Sequence, residues 1–118
     1  MLTEYQEQVI VFQWANLHLN RYPELELLHA SLNGVKLTIG QAMKAKRSGM
    51  IKGVPDISLP IKRGEYSGLY IELKRIKGGV VSKEQKRWLA LLAEQGFRAV
   101  VCNGADSAIA EIKTYLES

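Results

Sequence analysis

Three side chains stand at spacings that suit metal-assisted chemistry on phosphate. Asp56 follows Pro55, and sixteen residues further Glu72 and Lys74 flank Leu73. Side chains alternate along a β-strand, so Glu72 and Lys74 share one face while Ile71 and Leu73 take the other. Their functional groups then lie roughly 7 Å apart along the strand. If Asp56 sits on the adjoining strand, its carboxylate meets that of Glu72. Two carboxylates forced together repel unless a cation stands between them. Mg²⁺, or Mn²⁺ in its place, suits such a site because it takes one or two carboxylates and fills its octahedron with water and phosphate oxygens. Lys74 beside it can orient or deprotonate a water and stabilise developing charge.

The Glu-x-Lys pattern alone carries little information, because Glu84-Gln85-Lys86 and Glu111-Ile112-Lys113 repeat it. Both repeats fall on predicted helices, where positions two apart diverge. Glu72-Leu73-Lys74 is distinguished by its apolar strand and by the Pro-Asp strand upstream. On spacing alone, catalysis competes with a surface ion pair on an amphipathic strand.

The elements that must position these residues follow from local patterns. Thr3 with Gln6 predicts a capped first helix, along which Tyr5, Val9 and Phe12, then Ile10, Trp14 and Leu17, recur at helical spacing. That helix stops before Tyr22-Pro23. Leu25 to Ala30 reads as a strand, followed by a turn at Asn33-Gly34. Thr38 to Gln41 opens a basic helix ending near Gly49. Asp56 to Leu59 is a short strand between Pro55 and Pro60, and Leu69 to Lys74 a stronger one. Ser82 with Gln85 caps a helix running to Gly96, Phe97 to Cys102 is a strand, and a last helix spans about Ala105 to Leu116. The order αβαββαβα predicts an α/β (α+β) mixed sheet flanked by helices.

The chain has 118 residues, the size of one domain with one core. Hydrophobic residues make up 47% and charged residues 24%, ordinary values for a globular protein. No apolar run approaches the ~20 residues of a membrane span, and the N-terminus lacks the pattern of a secretory signal. A single cysteine and two histidines argue against a disulfide framework and an ordinary zinc site. A cytoplasmic protein without an organic cofactor is the expectation. The net charge is +4, and Lys36, Lys44, Lys46, Arg47 and Lys52 fall in one stretch free of Asp and Glu. A local basic patch is the footprint of a polyanion such as nucleic acid; the alternative is a solvated surface helix.

The runs Gly53-Val54-Pro55-Asp56-Ile57, Leu69-Tyr70-Ile71-Glu72-Leu73-Lys74-Arg75 and Gly78-Gly79-Val80-Val81-Ser82-Lys83-Glu84-Gln85 together resemble the VRR-NUC (virus-type replication-repair nuclease) family. The similarity is to its short stand-alone phage and bacterial members, within the PD-(D/E)xK superfamily, and extends from Glu4 to the last helix. It implies a restriction-endonuclease-like fold and metal-dependent phosphodiester hydrolysis. By the same resemblance Asp56 and Glu72 are metal-binding acids, Lys74 is the catalytic lysine, and Gln85 is a catalytic-site residue on the following helix. The main-chain carbonyl of Leu73 is implied as a further metal ligand. The family's N-terminal helix supplies another acid: Glu4 fits its place, ten residues ahead of Trp14, and Glu7 lies one turn away. The implied substrate is DNA, with Holliday junctions foremost and flapped or linear DNA as alternatives, and the implied assembly is a homodimer. A binding subunit that keeps the fold without cleaving is the rival from another class.

Other residues invite a functional reading and are better explained by packing. His29 reads as a packed or edge strand residue and His18 as a solvent-facing or capping group. Trp14 and Trp88 sit on apolar helical faces, and Cys102 reads as a small buried hydrophobe.

Overall fold

A computed structural model describes residues 1–31, 33 and 35–118. Helix α1, Glu4–Leu17, starts at the Thr3 cap, where Thr3 and Gln6 exchange side-chain and backbone hydrogen bonds. It buries Glu7, Val11 and Ala15, spaced four apart, against α4 (Ala105–Leu116). The stripes expected from hydropathy do not form the inner face. Tyr5 is 77% exposed and Leu17 81%, while Ile10, Phe12 and Trp14 are partly buried against the core. The reason is steric. Ala15 allows close approach to a helix that offers Ala105 and Ala108, and a buried glutamate is invisible to a hydropathy pattern.

The strand expected over Leu25 to Ala30 is mostly a 3₁₀ turn, Pro23–Leu27, with only His29–Ala30 extended as β1. Leu25 and Leu28 are both buried. Their spacing of three suits that turn, and Pro23 opens it with the fixed φ of a first helical position. The Asn33-Gly34 turn is described only at Asn33, since Gly34 lies outside the described residues.

Helix α2, Ile39–Arg47, carries the predicted Thr38–Gln41 capping box and buries none of its residues. Strands β2 (Ile57–Leu59) and β3 (Leu69–Lys74) pair antiparallel. Helix α3 (Lys83–Glu94) then crosses to β4 (Arg98–Asn103), which runs parallel to β3. The sheet order is β1-β2-β3-β4, so the chain adopts an α+β fold in the order expected, consistent with a restriction-endonuclease-like architecture. Ile57, Leu59, Leu69, Ile71 and Leu73 form the core with Ile112 of α4 and Val11 of α1. Both faces of β3 are covered over most of its length. The strand is therefore not amphipathic, and Glu72 and Lys74 are interior residues, 1% and 6% exposed.

Candidate active site

Register brings the two acids together. Ile57 pairs with Ile71, so Asp56, one residue before β2, stands opposite Glu72, one residue further along β3. Several contacts fix Asp56 there. Its carbonyl accepts the Ser31 N–H at 2.8 Å, and Asn33 Nδ2 donates to the carbonyls of Ile51 and Val54 at 3.0 and 3.2 Å. Gly53, at φ +102°, packs against the backbone of Glu84, where an added Cβ would fall 2.7 Å from the carbonyl oxygen. Asp56 Oδ2 accepts the Leu73 N–H at 2.8 Å.

Glu72 Oε2 accepts from Gln85 Nε2 at 3.0 Å and lies 3.4 Å from Lys74 Nζ. Gln85 is also the capping-box residue of α3, its Oε1 accepting the Ser82 N–H at 2.8 Å. One amide thus ties the start of α3 to the acid on β3. Glu72 Oε1 is buried and finds no hydrogen-bond partner among the described residues. Burial, then the adjacent Asp56 carboxylate, push the Glu72 carboxyl up to about 8, while Lys74 acts in the opposite direction. Behind Lys74, Gly79 leaves room for its stem, and the Gly104 N–H binds its carbonyl at 2.7 Å.

These groups line a cleft of about 300 Å³ together with Glu4 and Lys52. Glu4 and Glu7, which spacing leaves equivalent, are separated by the fold. Glu4 is at the cleft, whereas Glu7 is 3% exposed and its Oε1 accepts the Ala105 N–H at 3.0 Å. Glu7 thereby caps α4, whose N-cap Gly104 has no side chain to do so. A hollow of about 150 Å³ adjoins the cleft, sharing Glu4 and Asp56 and reaching Leu73. A larger one, about 440 Å³, lies among Tyr66, Arg98, Glu111 and Tyr115, away from the acids. Chemistry rather than size distinguishes the cleft.

No group of three or more His, Cys, Asp and Glu side chains that could hold a metal comes together among the described residues. Asp56 and Glu72 suit a hard divalent cation that keeps most of its ligands as water and phosphate. The partnerless Oε1 of Glu72 is the observation that favours one: a cation, or a proton shared with Asp56, relieves both its isolation and the repulsion. The other two Glu-x-Lys pairs do not converge on the cleft acids. Glu84 is 3.9 Å from Lys52 on the surface, and Glu111 makes two bonds to Arg98, at 2.8 and 3.0 Å.

The basic segment divides. Lys52 lines the cleft, while Lys36, Lys44, Lys46 and Arg47 are exposed, the last three on α2. Segment counting overlooked a second concentration of charge. Arg75, Lys77, Lys83, Lys86 and Arg87, with Glu84 alone opposing them, run from the end of β3 along α3, all exposed. Acids elsewhere in the chain masked it. His18 serves as the C-cap of α1, His29 is an exposed residue of edge strand β1, and Cys102 is buried.

A four-stranded mixed sheet with an acid before its second strand and a Glu-x-Lys on its third defines a protein of the restriction-endonuclease-like class. Residues 2–106 match the model of the VRR-NUC domain, and the chain belongs to that family. A solved structure titled "VRR_NUC domain protein" is 32% identical, with a TM-score of 0.83 over 99% of this chain and 90% of the other. No curated protein matches. Family membership implies a nuclease-type function.

Proposed function

We propose that this chain is a Mg²⁺- or Mn²⁺-dependent endodeoxyribonuclease that hydrolyses phosphodiester bonds in branched DNA such as Holliday junctions. The observation that carries the reading is the pairing of half-buried Asp56 with buried Glu72, whose Oε1 is unpartnered among the described residues, beside Lys74 in a cleft edged by Lys52. Asp56, Glu72 and the Leu73 carbonyl would hold the cation, with Glu4 contributing from the cleft wall. Bound there, a divalent cation acidifies a water and offsets charge developing on the phosphate. Gln85 holds Glu72 through Oε2, which leaves Oε1 uncommitted. The Lys74 ammonium, buried beside Glu72, is placed to orient a water or to neutralise a phosphate oxygen. Lys52 and the cations of α2 and α3 supply phosphate contacts.

The same observation weighs against a binding-only subunit, since two adjacent acids at the cleft repel a polyanion unless a cation joins them. Branch preference rests on the family resemblance, with flapped or linear DNA as the alternative. A two-fold homodimer suits a substrate that needs two symmetric nicks from single-centre protomers. It is supported by Leu91 of α3 and Val101 of edge strand β4, 43% and 38% exposed, and by the absence of buried residues on α3. Light scattering tests this assembly: a mass near 13.2 kDa, with one protomer per junction, would overturn it.

Incubation with four-way junction, flap and linear duplex DNA in Mg²⁺, Mn²⁺ or EDTA tests the activity. Cation-dependent cutting, fastest on the junction, is the expected result. Cutting in EDTA, or none in any cation, would overturn the reading.

A further inference from the structure

Helix α1 presents an apolar stripe to solvent where it passes the cleft. Tyr5 is 77% exposed and Val9 36%, four residues apart on the helix, and Leu2, just ahead of the Thr3 cap, is 41% exposed. Tyr5 lines the 150 Å³ hollow beside the acids, together with Glu4, Gln8, Ser31, Val35 and Asp56. The hydroxyl of Ser31 is buried there and has no partner among the described residues. A scattered exposed tyrosine needs no explanation. An exposed aromatic ring at a polar hollow that shares Glu4 and Asp56 with the cleft does.

The lining decides what fits. Among the described residues its only charged side chains are those of Glu4 and Asp56, which are assigned above to the cation, so the wall left for a neighbouring part of the substrate is the uncharged one of Tyr5, Gln8, Ser31 and Val35. The Gln8 amide and the Ser31 hydroxyl can each donate and accept, as recognition of a base edge requires. We infer that the Tyr5 side of this hollow receives an unpaired nucleobase next to the scissile phosphate, stacked on the Tyr5 ring. The inference rests on the nuclease reading above and adds to it: the acids take the phosphate and α1 takes a neighbouring base out of the helical stack. Bases at branch points and single-stranded ends leave the stack most readily, so the hollow gives this chain a physical means of favouring such DNA.

A binding cycle tests the inference without relying on cleavage. Fluorescence anisotropy would compare labelled oligothymidylate with an abasic strand of equal length, on Glu72→Gln protein with and without Tyr5→Ala. Stacking of one base on one ring is worth about 1–3 kcal/mol, so Tyr5→Ala should weaken oligothymidylate binding about tenfold. It should leave the abasic strand unchanged, and Tyr5→Phe should bind both strands as Tyr5 does. Equal losses on both strands, or none on either, would overturn the inference. So would a Tyr5→Ala protein that loses its dimer in light scattering while the base-dependent difference persists, because the stripe would then be a protein contact. The wild-type cleavage assay stands apart, so failure of the nuclease reading is seen there and failure of the stacking contact is seen here.

Discussion

At the floor of the cleft, Asp56, Glu72 and Gln85 are each bonded to another part of the fold, and Glu72 is 1% exposed. Helix α2 is the opposite construction. Its nine residues bury nothing, Ile39 and Met43 are 84% and 60% exposed, and its cations gather in the last turn. There they also complement the helix dipole. The contrast teaches that precision and charge are supplied by different regions. Chemistry requires groups held to fractions of an ångström, while phosphate attraction acts over several ångströms and tolerates a loosely attached helix.

The largest expected effect lies at the cleft floor. Glu72→Ala or Asp56→Ala should lower cleavage by about 10³-fold or more, the scale of losing a metal's contribution, while circular dichroism and junction binding persist. Lys74→Ala should lose turnover and keep much of the metal affinity, read by Mn²⁺ titration. Wild-type cleavage by the Glu72 variant would place the chemistry elsewhere.

A second effect concerns protons. The Glu72 carboxyl titrates near 8 in the folded protein and near 4.5 in the unfolded chain. The folded state therefore binds the extra proton between those values. The stabilisation is fully present below about 4.5 and is lost as pH rises through 8, a few kcal/mol at about 1.4 kcal/mol per tenfold change in proton affinity. Melting of the metal-free protein should fall from about pH 5 to about pH 8. Glu72→Gln should flatten that slope, and Mg²⁺ should restore stability at the upper end with release of a proton. A slope that survives in Glu72→Gln would assign it to another group.

Substituting Lys44, Lys46 and Arg47 together should leave the melting temperature unchanged and weaken DNA binding across sequences. The slope of log K against log[salt] should shrink by about 0.9 for each phosphate that the variant no longer neutralises. If it does not change, the DNA passes along the α3 cations instead and α2 is a solvated face.

Smaller effects separate the two other Glu-x-Lys pairs. Both Glu84→Ala and Glu111→Ala should cleave at near the wild-type rate. Glu111→Ala breaks a two-bond pair with Arg98 and should cost about 1 kcal/mol in urea unfolding, whereas Glu84→Ala, on the surface, should not move the midpoint. Thr38→Ala, which removes the α2 cap, should cost about 1 kcal/mol of local helix stability. It would be read as faster amide exchange confined to α2.

Local structure was legible before any fold was known. The three capping boxes, at Thr3, Thr38 and Ser82, join residues three apart, and the β3 and α4 boundaries follow patterns of neighbouring side chains. The Pro-Asp and Glu-x-Lys spacing pointed to the acids for the same reason, since strand alternation is a local rule. Tertiary packing decided everything that depends on what arrives from elsewhere in the chain. It turned Leu25 and Leu28 into one side of a 3₁₀ turn, covered both faces of β3, and left Tyr5 at the rim of a hollow. Glu4 and Glu7 show the principle most plainly. They are alike in type and one turn apart, yet one reaches the cleft and the other caps α4, because the N-terminus of that helix arrives beside Glu7 from nearly a hundred residues away.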